Sequence, residues 1–264
     1  MKIISFIIFL IVSINTQFLY AQKDKCILKK IIKESKLYPN KGTKDTILRE
    51  VFEIIYQGKD VLKINAITFP TIHRAGNNYN IPTKIEWDFI RTENTTYVIE
   101  NKRDTIHKFD YNGKRQLIGD KPAHGFTYFA YIYDDAGKMI KCQFQNYFTK
   151  ENSDSDVQLN YETPNEITYI QNSYGIKLKG RVTFDDKNNP FYDNLELGII
   201  FNSAVLKHLS PNNVLLDYWI DTIAMRVTKH TSKYEYNSKK YPTKKYQQNW
   251  GQTVLWSFEY ENYK

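Results

Sequence analysis

Short stretches in which apolar side chains alternate with polar ones recur along the whole chain. Residues 79–89, 95–99, 143–148, 158–161, 167–171 and 176–179 are rich in β-branched and aromatic side chains and are bounded by turn formers, which predicts short strands. One pattern is more specific: an apolar residue, any residue and an aromatic one stand before a polar turn with Asn, Asp or Gly and usually Lys. It occurs at Ile54-Ile55-Tyr56-Gln57-Gly58-Lys59, Phe109-Asp110-Tyr111-Asn112-Gly113-Lys114 and Tyr131-Ile132-Tyr133-Asp134-Asp135-Ala136-Gly137-Lys138, and more loosely from Val182, Tyr234 and Phe258. Side chains two apart in a strand share a face, and corners of this composition supply the positive φ of tight hairpins. Each copy therefore reads as a strand entering a hairpin. The first residues lie 55, 22, 51, 52 and 24 positions apart, near one or two units of about two dozen residues. The expected fold is mainly β: an antiparallel meander of repeated hairpins, either an open curled sheet or a barrel-like one.

Two segments interrupt the pattern. At 26–37, Ile27, Leu28, Ile31 and Ile32 fall on one helical face with Lys29, Lys30 and Lys33 opposite, and Tyr38-Pro39 stops the run, so a short N-terminal basic helix is expected at an end of the sheet. At 195–219, Ser210-Pro211-Asn212-Asn213 punctuates apolar runs, which predicts a long crossing loop holding a short helix.

Composition fits one globular domain. Apolar residues make 41% and charged residues 25% of 264, and the 21 Tyr, 15 Phe and 4 Trp can fill a core without disulfides or metals. Met1-Lys2, an apolar run from Ile3 to Val12 and the small Ala21 before Gln22 have the layout of a cleaved signal peptide over 1–21. The apolar run is about half the roughly 20 residues that a spanning helix needs. The expectation is an exported chain, periplasmic or at the cell surface, with 22–264 as a single β-rich domain. Lipidation at Cys26 is disfavoured by Lys23-Asp24-Lys25, where small and aliphatic residues would be required. Cys142 is the other cysteine, so in an oxidising compartment a Cys26–Cys142 disulfide and two buried thiols both stay open. The net charge of +8 is spread over turns, which reads as a solvated surface and not as a nucleic-acid stripe.

Candidate chemistry is sparse. His73, His107, His124, His208 and His230 stand far apart with no HExxH, and there is no GxSxG, P-loop or GxGxxG. No catalytic residue, metal or other cofactor is assigned. Asp134-Asp135, Asp154-Ser155-Asp156 and Asp185-Asp186 lie in predicted turns or polar loops, where Asp bonds its own backbone. The calcium-loop reading of 185–193 fails at Pro190, where a Gly would be required. Aromatics remain. Trp250 in the polar loop 247–252, with Trp256 and Tyr260 beyond it, are the candidate ligand-binding residues if one face of that strand is exposed for stacking on sugar rings or a protein partner.

Tyr131-x-Tyr133-Asp134-Asp135-x-Gly137-Lys138 resembles a YD-type repeat of Rhs proteins, whose hairpins coil into a β-shell. The wider run through Phe184-Asp185-Asp186, Leu209-Ser210-Pro211-Asn212-Asn213 and Tyr234-x-Tyr236-Asn237 is similar to uncharacterised exported β-meander proteins and lipoproteins of the Bacteroidota. That resemblance spans about residues 105–264 and implies an envelope location without assigned chemistry. The function expected is an envelope-associated binding or scaffold module whose partner is an envelope protein or glycan. Two alternatives stay open: a hydrolase with a site of scattered His and Asp, and an outer-membrane β-barrel, which needs strands of about ten residues with an apolar lipid-facing row.

Overall fold

The computed structural model describes residues 26–37, 46–71, 82–122, 127–146, 152–173, 175–202, 205–249 and 252–262. Sixteen strands run in chain order: β1 (Cys26–Leu37), β2 (Thr46–Gln57), β3 (Asp60–Thr71), β4 (Thr83–Arg91), β5 (Thr95–Glu100), β6 (Asp104–Tyr111), β7 (Leu117–Pro122) and β8 (Thr127–Tyr133), then β9 (Met139–Asn146), β10 (Asn152–Thr163), β11 (Glu166–Ser173), β12 (Ile176–Asn188), β13 (Asn212–Asp221), β14 (Arg226–Tyr236), β15 (Pro242–Asn249) and β16 (Gln252–Asn262). Each pairs antiparallel with its sequence neighbour, and β1 closes on β16 from Cys26↔Asn262 to Leu37↔Gln252. The meander is a closed barrel. Closure leaves no unpaired edge among these strands.

The segment 26–37 is therefore a strand and not the expected helix. The cause is a register shift between Leu28 and Lys30. A bulge adds one residue to one strand of a pair, so Leu28 and Ile31, three positions apart, both point into the core. That spacing imitates a helical face. Several strands are also longer than the sequence suggested: β1, β2, β3 and β10 have 12 residues each and β12 has 13. The crossing loop does hold a short helix, α1 (Leu195–Asn202), followed by a single 3-10 turn, Val205–His208, and β13 begins within the span assigned to the loop.

All six repeated motifs belong to strands that end at one rim of the barrel, the rim that also carries residues 189–211 with α1. This is the helix rim. The recurrence reflects every second turn of one meander, since the intervening turns lie at the far rim. Separate coiling hairpins are not needed to explain it.

Inward positions form one core. It is lined by Ile31, Phe52, Ile54, Val61, Ile64, Val98, Phe109, Met139, Val182 and Phe258 among others, and Leu197 and Ile199 of α1 join it. The helix is folded into the bore. Glu196 accepts hydrogen bonds from Arg91, at 2.6 Å, and from the Tyr111 hydroxyl, and Phe201 meets Phe52 edge-on at 4.9 Å. Gly198 lets α1 sit against His208, because a Cβ there would lie 2.5 Å from the imidazole.

The outer face is different. Cross-strand ion pairs stand on it: Lys63 with Glu86 at 2.9 Å, Lys141 with Asp156 at 2.9 Å, Arg49 with Glu34 at 3.5 Å, and Lys30 with Glu259 at 3.2 Å. Each contributes little stability where it is exposed to water.

Candidate ligand cavity inside the barrel

Alternation decides what faces the bore. Trp256 lies between Val254 and Phe258 on the inward side of β16, and its register partners are Lys33 on β1 and Lys245 on β15. Both amines stack on the indole, Lys33 Nζ at 5.4 Å and Lys245 Nζ at 5.6 Å from the ring. Such contacts are worth more when desolvated. Lys33 also holds Glu50 at 2.8 Å across the β1–β2 ladder.

Beside this group is a cavity of about 160 Å³, lined by Lys33, Glu50, Phe52, Trp87, Phe201 and Trp256 with Ala66, Thr68, Ile85 and Ile200. Trp87 donates its indole N–H to Glu100 at 3.0 Å. Trp256 is only 4% exposed, and its Nε1 has no hydrogen-bond partner among the described residues. A buried donor without a partner costs about 1–3 kcal/mol. The cavity is amphipathic: aromatic walls, one ion pair and one unmatched donor.

A second group sits nearer the helix rim. Lys207 pairs with Asp217 at 3.2 Å, His230 lies against Trp219 at 5.0 Å, and Lys245 and His208 line the same cleft. Its free volume is about 30 Å³, room for a water and not for a ligand. Burial pushes the Lys245 amine down to about 7 and His208 down to about 3, the neighbouring lysines adding to both effects. Across the bore, Asp120 accepts the Tyr131 hydroxyl and is pushed up to about 6 by burial, while His107 is pushed down to about 4. Neighbouring Cys142 is pushed up to about 12 by burial, which leaves the thiol inert.

The residues singled out in the sequence fall apart in space. Trp256 and Tyr260 share the inward face of β16, but not as an exposed platform; Tyr260 donates to the Pro242 carbonyl at 2.8 Å. Trp250, His73 and His124 lie outside the described residues. Cys26 and Cys142 lie on β1 and β9, well separated around the barrel, and no disulfide joins them. Two of the Asp pairs are turn and bulge elements: Asp134 Oδ1 accepts Lys138 N, and Asp185 accepts Lys187 N, Asn213 N and the Tyr236 hydroxyl; the third, expected in a loop, lies within β10, where Asp156 pairs with Lys141 at 2.9 Å. Among the described residues no group of three His, Cys, Asp or Glu could hold a metal ion. The interior lysines were missed, because a lysine in an alternating strand reads as surface until its neighbours' facing is known.

No protein-family model matches the chain, and no curated protein does. Solved structures do. A porin-like protein from Bacteroides uniformis matches with a TM-score of 0.53 at 8% identity, over 89% of this chain and 98% of that one. The two share a barrel fold. Also similar are a porin-like protein from Bacteroides vulgatus, at TM-score 0.32 and 8% identity over 90% and 99% of the two chains, and a LolA superfamily protein from Nitrosomonas europaea, at 0.29 and 10% over 92% and 90%. The fold thus agrees with the resemblance to β-proteins of the Bacteroidota. The YD-repeat resemblance gains no support, since no family matches and the hairpins belong to one closed meander.

Proposed function

We propose that the chain is an exported, envelope-associated binding module: a barrel with a water-facing wall and a bore that takes a small apolar group beside Trp256. The observation that carries this reading is the set of ion pairs on the outward face together with a bore filled by packed side chains. A transmembrane barrel shows an apolar band about 25 Å tall outside and polar groups inside. Here the ion pairs Lys63–Glu86, Lys141–Asp156 and Lys30–Glu259 are outside, and the bore is filled by core side chains and α1. A wall of this kind does not face lipid, and a bore so filled does not conduct. What is left is a cavity of about 160 Å³, comparable to an engineered apolar cavity of about 150 Å³ that takes benzene. The leader-like pattern of residues 1–21 supports export.

The test uses the chain without residues 1–21, which retains every described element. It is expected to stay monodisperse without detergent and to leave membranes in carbonate. Toluene is expected to raise its melting temperature, as any ligand specific for the native state does, and Ala66→Leu, which fills the cavity, is expected to remove that rise. A need for detergent would overturn the water-facing wall. An equal toluene effect in Ala66→Leu would overturn the cavity. Affinity capture from an envelope extract then asks whether the natural ligand is carried by a protein or a glycan.

A further inference from the structure

We propose that the far rim docks on an anionic lipid surface through the turn between β13 and β14. This inference rests on the water-facing reading of the wall. The turn presents Ile223, Met225 and, at the start of β14, Val227, which are 68%, 76% and 55% exposed, the highest values among the described large hydrophobic residues. Ile176 at the neighbouring β11–β12 corner is 46% exposed. Thr222 ties the two corners together, its N–H and hydroxyl both bonding the Lys177 carbonyl, at 3.0 Å and 2.7 Å. The four apolar side chains therefore belong to one tip.

The turn is held in shape without them. Asp221 Oδ1 accepts the N–H groups of Ile223 and Ala224, both at 2.9 Å, so its charge is engaged at the base of the tip. Met225 has φ 52, a left-handed conformation that L side chains adopt at a cost and that Gly adopts freely. A strained position is occupied by a long, exposed apolar side chain, where folding alone would favour Gly.

The surroundings select the partner. Lys177, Lys179 and Arg181 of β12 and Lys229 of β14 stand on the outer wall beside and below the tip. The acidic groups Glu166, Asp186 and Glu235 on these strands and their partners lie toward the helix rim, Glu166 within 3.9 Å of Arg181, Asp186 with Lys187 at 2.7 Å and Glu235 with Lys244 at 2.9 Å. An apolar tip under a basic collar matches a surface that is negative at its face and apolar just beneath. Lys and Arg beside an anionic leaflet are drawn to its surface charge. A protein partner fits less well, because four protruding side chains fall far short of the roughly 800 Å² per partner of a stable interface.

The experiment is co-sedimentation of the chain without residues 1–21 with vesicles of phosphatidylglycerol and phosphatidylcholine, against phosphatidylcholine alone. Binding is expected to the anionic vesicles only, and to fall in about 0.5 M salt as screening shortens the reach of the collar. Ile223→Asp with Met225→Asp, and separately Lys177→Glu with Lys229→Glu, are expected to weaken it at least tenfold while the melting temperature stays near the parent's. Met225→Gly separates docking from folding: vesicle affinity drops while the melting temperature holds or rises. Absence of binding, equal binding to both vesicles, or unchanged binding by the tip variants would each overturn the inference. Bound chain that carbonate cannot release would instead overturn the water-facing wall.

Discussion

Lys245 and His208 face the bore with their basicity lowered by burial, and each ties stability to pH in the same direction. The Lys245 amine is pushed from 10.5 down to about 7, so in the unfolded chain it binds a proton at a pH where the folded chain does not. Stability is lost as pH falls from about 10.5 to 7 and is flat below. His208 and His107, pushed from 6.5 down to about 3 and 4, cause a further loss between pH 6.5 and those values. Asp120, pushed from 3.8 up to about 6, acts oppositely, gaining stability as pH falls through the same window. The three buried bases outweigh the one acid. Lys245→Met is therefore expected to raise the melting temperature most at pH 7 and below, with the gain shrinking toward pH 10; a pH series of thermal melts for both chains checks it. None of this was readable from sequence. Lys245 alternates with Lys244 and Tyr246, and only register pairing with Trp256 reveals which of the three points inward.

Individual turns explain why one motif recurs. In the β6–β7 turn, Asn112 Oδ1 accepts the N–H groups of Lys114 and Gln116, both at 3.0 Å. In the β14–β15 turn, Asn237 Oδ1 accepts Lys239 N and Tyr241 N at 3.0 Å, and Asp134 accepts Lys138 N at 2.8 Å between β8 and β9. A carboxylate or amide at the corner supplies the acceptor that backbone geometry leaves wanting. Asn112→Ala is expected to cost about 1 kcal/mol by denaturant melts, and exposed Asp135→Ala within about 0.5 kcal/mol of nothing. These turns were legible because their chemistry is local. The bulge in β1 was not, since its shift of phase is set by pairing with β16, more than two hundred positions away. The same holds for β12 and β13, whose bulges near Phe184 put Asp185 in contact with Asn213.

At the scale of the whole molecule, strands and α1 share one core inside, while ion pairs such as Lys63–Glu86 and Lys141–Asp156 stand on the outer wall. The sequence showed the meander and the polar alternation, but it could not show closure, because β1–β16 pairing joins the two ends of the described chain and leaves no local trace. Candidate aromatics at Trp256 and Tyr260 were found for a related reason: they are large and periodic, yet their facing is a property of the closed ring of strands.

Closure has one more consequence. Cys26 and Asn262 are register partners, so the ends of the sheet already touch, and a strand order without edges has no natural first member. The barrel is in effect a loop of sixteen strands cut at one of sixteen places. Joining residue 262 to 26 through a short flexible linker and reopening the chain between Gly58 and Lys59, an exposed corner where Gly58 has φ 62, is expected to give a permuted protein with the same strand content by circular dichroism. Loss of that content would mean that β1 and β16 must arrive last for the ring to shut.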